Sequence, residues 1–98
     1  MNVPVVWSPQ ASDAYRKQVQ WLEANRDSRA VLRYLHEVAT AVDRVATPAV
    51  RYQAVAGHSD IYRYKLNATT YLYYRIRNET VELLTLFDTR QNPDKLKL

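Results

Sequence analysis

At 98 residues, 47% apolar and 24% charged, the chain has the size of a single domain over residues 1–98 that buries about two thirds of the surface exposed when unfolded. It holds no cysteine, which excludes disulfides and thiolate metal sites. No apolar run approaches the ~20 residues of a membrane span, and the start lacks the basic flank and long apolar centre of a secretory signal. The expected address is therefore cytoplasmic, with no membrane partner.

The net charge is +4, and residues 51–98 carry eight Lys or Arg against five Asp or Glu. A basic half points to nucleic acid or to an acidic protein partner; its bland alternative is a solvated face. Gly57 is the single glycine, which argues against a Gly-rich phosphate loop, and no cofactor is expected.

In chain order, the valine-rich residues 2–7 read as a short strand, with Pro4 suggesting an edge. Ser8 suits an N-cap and Pro9 the first helical position, where a missing N–H costs nothing. Ala11, Tyr15, Val19 and Leu22 follow at helical spacing, so the first helix is expected over residues 9–24. A polar joint leads to Asp27 or Ser28 as the next cap. Val31, Leu35, Val38, Val42 and Val45 then recur at steps of four and three, giving a second helix that stops before Pro48. Two helices joined so closely form an antiparallel hairpin.

Residues 49–60 connect into the sheet, with a strand-like stretch over 50–55. Three strands follow at 61–66, 70–76 and 81–87, rich in the tyrosines and β-branched residues that fit a pleated surface. Asn67 turns the first joint. Asn78 suits the positive φ of a tight hairpin in the second, whereas Glu79 suits it less. The order is strand, helix, helix, three-strand meander: an α+β, two-layer domain whose mainly antiparallel sheet packs against the helical hairpin.

Alternation along the strands divides their side chains. Ile61, Arg63 and Lys65 point one way, and Tyr62, Tyr64 and Leu66 the other. Tyr71, Tyr73, Arg75 and Arg77 oppose Leu72, Tyr74 and Ile76. One face is basic and phenolic, the other apolar. The third strand breaks the pattern, since Leu83, Leu84, Leu86 and Phe87 are apolar on both sides, so it is expected in the middle of the sheet.

This order of elements resembles the RelE/ParE superfamily of toxins from bacterial type II toxin–antitoxin systems. The resemblance covers nearly the whole chain: the entry Trp7, Ser8 and Pro9, the positions of Ala11 and Tyr15, the helical hairpin, the strand around Arg63, the strand of Tyr74, and the exit from Asp88 to Pro93. It implies a growth-inhibiting toxin neutralised by a cognate antitoxin, touching operator DNA only through that antitoxin. RelE-like members cleave messenger RNA on the ribosome; ParE-like members poison DNA gyrase. The paired basic residues of RelE-like sites fall at Arg63 and Lys65, and the arginine at the sheet exit falls at Arg90. Where those sites carry an arginine entering the next strand, this chain has Tyr71, and residues 91–98 hold neither the expected tyrosine nor histidine.

Cutting RNA through its own 2′-hydroxyl requires a base, cations for the phosphorane charge, and an acid for the leaving oxygen. Arg63, Lys65 and Arg90 are the candidates for charge stabilisation, with Lys65 a base if neighbouring cations lower its pKa. Tyr71, Tyr73 and Arg75 are the candidate substrate contacts, through stacking or phosphate positioning. The acid has no owner. The competing structural reading makes Arg63 and Lys65 solvated charges and pairs Arg90 with Asp88 or Asp94. It also makes Tyr62, Tyr64 and Tyr74 core residues, His58 a loop residue and His36 a surface one. Ribosome-dependent messenger RNA cleavage stands slightly ahead of ParE-like gyrase inhibition without chemistry, and a non-toxic RNA- or protein-binding domain stands third.

Overall fold

The computed structural model describes residues 2–47 and 50–98. Pro48 and Ala49 lie outside the described residues, and with them the residue expected to end the second helix. Around them the chain forms β1 (Val5–Trp7), α1 (Pro9–Asn25), α2 (Ser28–Val45), β2 (Gln53–Ala54), β3 (Ile61–Lys65), β4 (Thr70–Arg77) and β5 (Thr80–Asp88), then a 3-10 turn at Pro93–Lys95. Among the described residues no helix is long and apolar enough to cross a membrane.

Local chemistry starts both helices where the sequence predicts. The Ser8 hydroxyl accepts from the N–H of Ala11 and donates to the carbonyl of Leu84, each at 3.0 Å, which ties the head of α1 to β5. Asp27 caps α2 by accepting from the N–H of Ala30 at 3.0 Å. The apolar stripe of α2 keeps Val38 and Val45 from the expected one and shifts by one residue at its other three positions. Ala30, Tyr34, Val38, Ala41 and Val45 are buried, whereas Val31, Leu35 and Val42 are only half-buried. The Tyr34 ring is stacked 5.8 Å from that of Tyr15. Burial pushes the Tyr34 hydroxyl well above its ordinary range.

The sheet has five strands in the order β1-β5-β4-β3-β2. The expected meander is present, and the strand-like stretch over 50–55 contributes β2, antiparallel to β3 through Gln53↔Arg63 and Ala54↔Tyr62. The first strand pairs parallel with the last, Val5↔Val81 to Trp7↔Leu83. β5 is thus an interior strand with a neighbour on each side, although the middle place belongs to β4. Asn78 and Glu79 both adopt positive φ, +53° and +58°, the pair of left-handed residues that a type I′ hairpin demands. Asn67 turns the other joint by accepting from the N–H groups of Thr69 and Thr70, both at 3.0 Å.

The helices cover one face of the sheet. There Tyr64, Leu66, Leu72, Tyr74, Val81, Leu83 and Leu86 meet the buried stripe of α2 and Ala11 and Leu22 of α1. Tyr74 and Leu83 are each 0% exposed, and the Tyr74 hydroxyl accepts from the N–H of Tyr52 at 3.3 Å. Arg44 near the end of α2 donates to the Tyr64 hydroxyl at 2.9 Å, a polar tie across the two layers.

One irregularity resets the outer half of β5. Tyr73 faces Thr85 but Tyr74 faces Leu83, so Leu84 is an extra residue in a β-bulge. A bulge of one residue flips every side chain beyond it to the other face. Leu83 therefore points to the helices, Leu84 and Thr85 lie on the open face, Leu86 returns to the core and Phe87 comes out again. The unbroken apolar run that suggested a doubly covered strand is largely this parity change. It also builds a second, smaller cluster of Ile61, Tyr73 and Leu84 away from the helices.

Candidate functional site

The open face gathers most of the residues singled out from the sequence, because strand pairing places them opposite one another. Arg63 faces Tyr73, Lys65 faces Tyr71 and Ile61 faces Arg75. The guanidinium of Arg63 sits 4.3 Å from the centre of the Tyr71 ring, close enough for a cation–π contact. Its Nε donates to the Gln53 side chain at 2.9 Å. Both partners are neutral, so Arg63 keeps its charge for a ligand while its orientation is fixed. Lys65, one pair further along, is exposed and makes no ion pair or side-chain hydrogen bond among the described residues. Arg63, Lys65 and Tyr71 form one continuous cationic and aromatic strip.

Arg75 shares the face but is already neutralised. Its Nη1 lies 3.3 Å from Glu82, directly across the strand pair, and its Nε lies 3.4 Å from Asp60, which also takes Arg77 at 3.4 Å. That Nε is buried without an aligned acceptor, so contact with Asp60 is one of charge rather than a directed hydrogen bond. Tyr73 is on the face yet only 5% exposed, sealed within the cluster of Ile61 and Leu84.

Arg90 is not brought to this patch. Beyond the bulge, Asp88 pairs with Thr70 and so belongs to the helix side, and Arg90 folds back onto it. The Arg90 backbone N–H, Nε and Nη2 all donate to the Asp88 carboxylate at 2.8, 3.0 and 2.6 Å. These bonds hold the Asp88 carboxyl below its ordinary value of 3.8, outweighing the upward push of partial burial. The same carboxylate raises the Arg90 guanidinium. Arg90 borders a depression with Trp21, Arg26 and Arg33 of the helices and Asn67 of the β3–β4 turn. Of the three cations expected to converge, two share a face and the third lies around the end of the sheet.

Several participants escaped the sequence reading. Gln53 orients Arg63, but a two-residue strand with both side chains exposed carries little periodic signal. Asp60 and Glu82 quench Arg75; their opposite charge at the start of β3 and within β5 was the available clue. Leu96 packs on the open-face cluster from outside the sheet, which no pattern in a charged tail announces. Among the described residues no three His, Asp or Glu side chains come together as a metal site.

This architecture has relatives. A chromosomal ParDE toxin–antitoxin system from P. aeruginosa superposes with a TM-score of 0.74 at 8% identity, covering 88% of this chain and 95% of that one. A free mutant of the E. coli toxin RelE gives 0.62 at 16% identity over 90% and 84% of the two chains. The E. coli DinJ-YafQ toxin–antitoxin complex gives 0.58 at 14% over 92% and 96%. At such identities these likenesses speak for the fold. No curated protein matches the sequence. Residues 5–93, all five strands and both helices, match the family described as ParE toxin of type II toxin-antitoxin system, parDE. The chain belongs to the ParE toxin family and is a toxin component of a type II toxin–antitoxin system.

Proposed function

We propose that this toxin arrests growth by seating the open face of its sheet on a target and blocking it, not by cutting RNA. The observation that carries this reading is the division of the cations. Arg90 is closed onto Asp88 on the helix side, and Arg75 is tied to Asp60 and Glu82. Of the cations that the sequence singled out, Arg63 and Lys65 remain to face a phosphate. Two cations with no neighbouring acid fall short of the base, charge stabiliser and acid that RNA transesterification requires. They suit electrostatic steering onto an acidic surface, with Tyr71 supplying flat contact area.

DNA gyrase is the target that the ParE family resemblance implies, and a cytoplasmic address is part of the same reading. An antitoxin is the expected neutralising partner, and the complexes among the structural relatives support it. The cleavage reading keeps one specific support, the Arg63 and Lys65 pair beside a stacking tyrosine, which a single-stranded nucleic acid would also accept.

Inducible expression in bacteria separates the two. Binding predicts gyrase-dependent DNA breaks with intact messengers. Replacing Arg63 and Lys65 together with alanine relieves growth arrest while stability changes by less than about 0.5 kcal/mol, as for surface positions generally. Arg90→Ala leaves the arrest in place. Messenger cuts at ribosome-occupied codons that vanish in the double variant, or relief by Arg90→Ala alone, would overturn the proposal in favour of the nuclease.

A further inference from the structure

Tyr73 faces away from the helices, yet it is as closed to solvent as a core residue, 5% exposed. Part of its cover comes from the C-terminal segment. After the sheet ends, the Asn92 side chain accepts from the N–H of Asp94 at 3.0 Å and starts the 3-10 turn. Lys95 and Leu96 then donate backward to the carbonyls of Asn92 and Pro93 at 2.9 and 3.0 Å. These bonds are all internal, so the turn holds its own shape. It delivers Leu96 onto the cluster of Ile61, Tyr73 and Leu84, in a shallow groove that Leu96 shares with Tyr73, Arg63 and Val55.

The attachment to the rest of the molecule is slight. Among the described residues no backbone bond joins residues 94–98 to the sheet. The only external hydrogen bond of the segment runs from Gln10 to the carbonyl of Lys97, exposed and 3.2 Å long. Asp94, Lys95 and Lys97 are exposed and Leu98 is 38% exposed, which leaves Leu96, packed on the cluster, as the main apolar anchor. A unit ordered within itself and fastened by so few contacts detaches without disturbing the strand ladder.

We propose that this segment is a strap which closes the open face over Tyr73, and that it has to lift before a target can occupy that face. The second part rests on the open face being the working surface, as argued above. Lifting Leu96 would uncover the Tyr73 ring 6.4 Å from that of Tyr71, and so extend the strip of Arg63, Lys65 and Tyr71 by one more aromatic.

Tyrosine nitration with tetranitromethane on the full chain, read residue by residue by mass spectrometry, tests the strap directly. In the unaltered protein Tyr73 should react far more slowly than half-buried Tyr62. Leu96→Asp should raise the Tyr73 rate about tenfold, the shift expected when the burial of one leucine is lost. The Tyr62 rate should hold, the unfolding temperature should fall by no more than about 8 °C, and Leu96→Met should keep Tyr73 closed. A Tyr73 rate indifferent to residue 96 overturns the strap whatever happens to growth. If Leu96→Asp opens Tyr73 and strengthens growth arrest, both parts stand. If Tyr73 opens and arrest is unchanged, the strap stands and the open face is not the working surface. If Tyr73 opens and arrest weakens, Leu96 is itself a contact and the requirement for lifting fails.

Discussion

The two faces of the sheet are built from the same few residue types and end up with different tasks. On the helix side, Tyr64 and Tyr74 are locked into a layer closed by α1 and α2, and their hydroxyls are engaged by Arg44 and by the N–H of Tyr52. On the open side, Tyr73 is buried to the same degree, its exposure falling between those of Tyr74 and Tyr64, but its neighbours are Arg63, Leu84 and the tail, and its hydroxyl has no hydrogen-bond partner among the described residues. A tyrosine that is packed and hydrogen-bonded is structure. One packed under the proposed strap, beside Arg63, is what lifting that strap would release. Burial alone does not separate the two; what covers the residue does.

The largest test of this contrast is a pair of adjacent leucines pointing opposite ways. Leu83→Ala empties a fully closed site beneath the helices and should destabilise by about 3 kcal/mol. Leu84→Ala opens a thinner layer and should cost about half that, read from urea midpoints with an unchanged slope. Equal costs would mean that the open face is as firmly closed as the other. A smaller effect separates the tyrosines. Tyr74→Phe removes the acceptor for the N–H of Tyr52 and should cost about 1 kcal/mol. Tyr73→Phe loses no protein hydrogen bond and should stay within about 0.5 kcal/mol.

The smallest effect concerns the cation that left the open face. Asp88 has its carboxyl held below 3.8 in the folded protein, so its bond to Arg90 contributes fully above that value. The contribution is lost as pH falls through the lower folded value, in the window below about pH 4. The pair is solvent-exposed on the Arg90 side, so the change should be visible in the NMR shifts of Arg90 Nε and barely at all in global stability. Asp88→Asn should abolish that titration. Arg90 freed in this way, if it restored cleavage activity, would show that the ion pair and not the bulge keeps it from the site.

Most of the architecture was legible because its signals were local. Ser8 and Pro9 start α1, Asp27 starts α2, Asn67 and Asn78 turn the hairpins, and alternation through β3 and β4 assigned both faces correctly. The failures were those of parity and packing. An extra residue at Leu84 reads in sequence like a strand covered on both sides, since apolar side chains on opposite faces look the same as two on one face. Strict alternation carried past it from Leu83 puts Asp88, and Arg90 with it, on the open side; the bulge puts them on the other. In α2 the larger valines and Leu35 outweighed Ala30 and Ala41 as a hydrophobic signal, yet both alanines are buried. The strip of Arg63, Lys65 and Tyr71 was readable from register, whereas the quenching of Arg75 and the seat of Leu96 depend on contacts between distant segments.

The parallel pairing of β1 with β5 has a kinetic consequence. The first strand made can complete its ladder only with the last, and such sequence-distant contacts are slow to form. A nascent chain is thus left with an open sheet edge until Thr80–Asp88 emerges from the ribosome. The open face, whose cluster includes Leu84 of β5, is therefore among the last parts of the molecule to take shape.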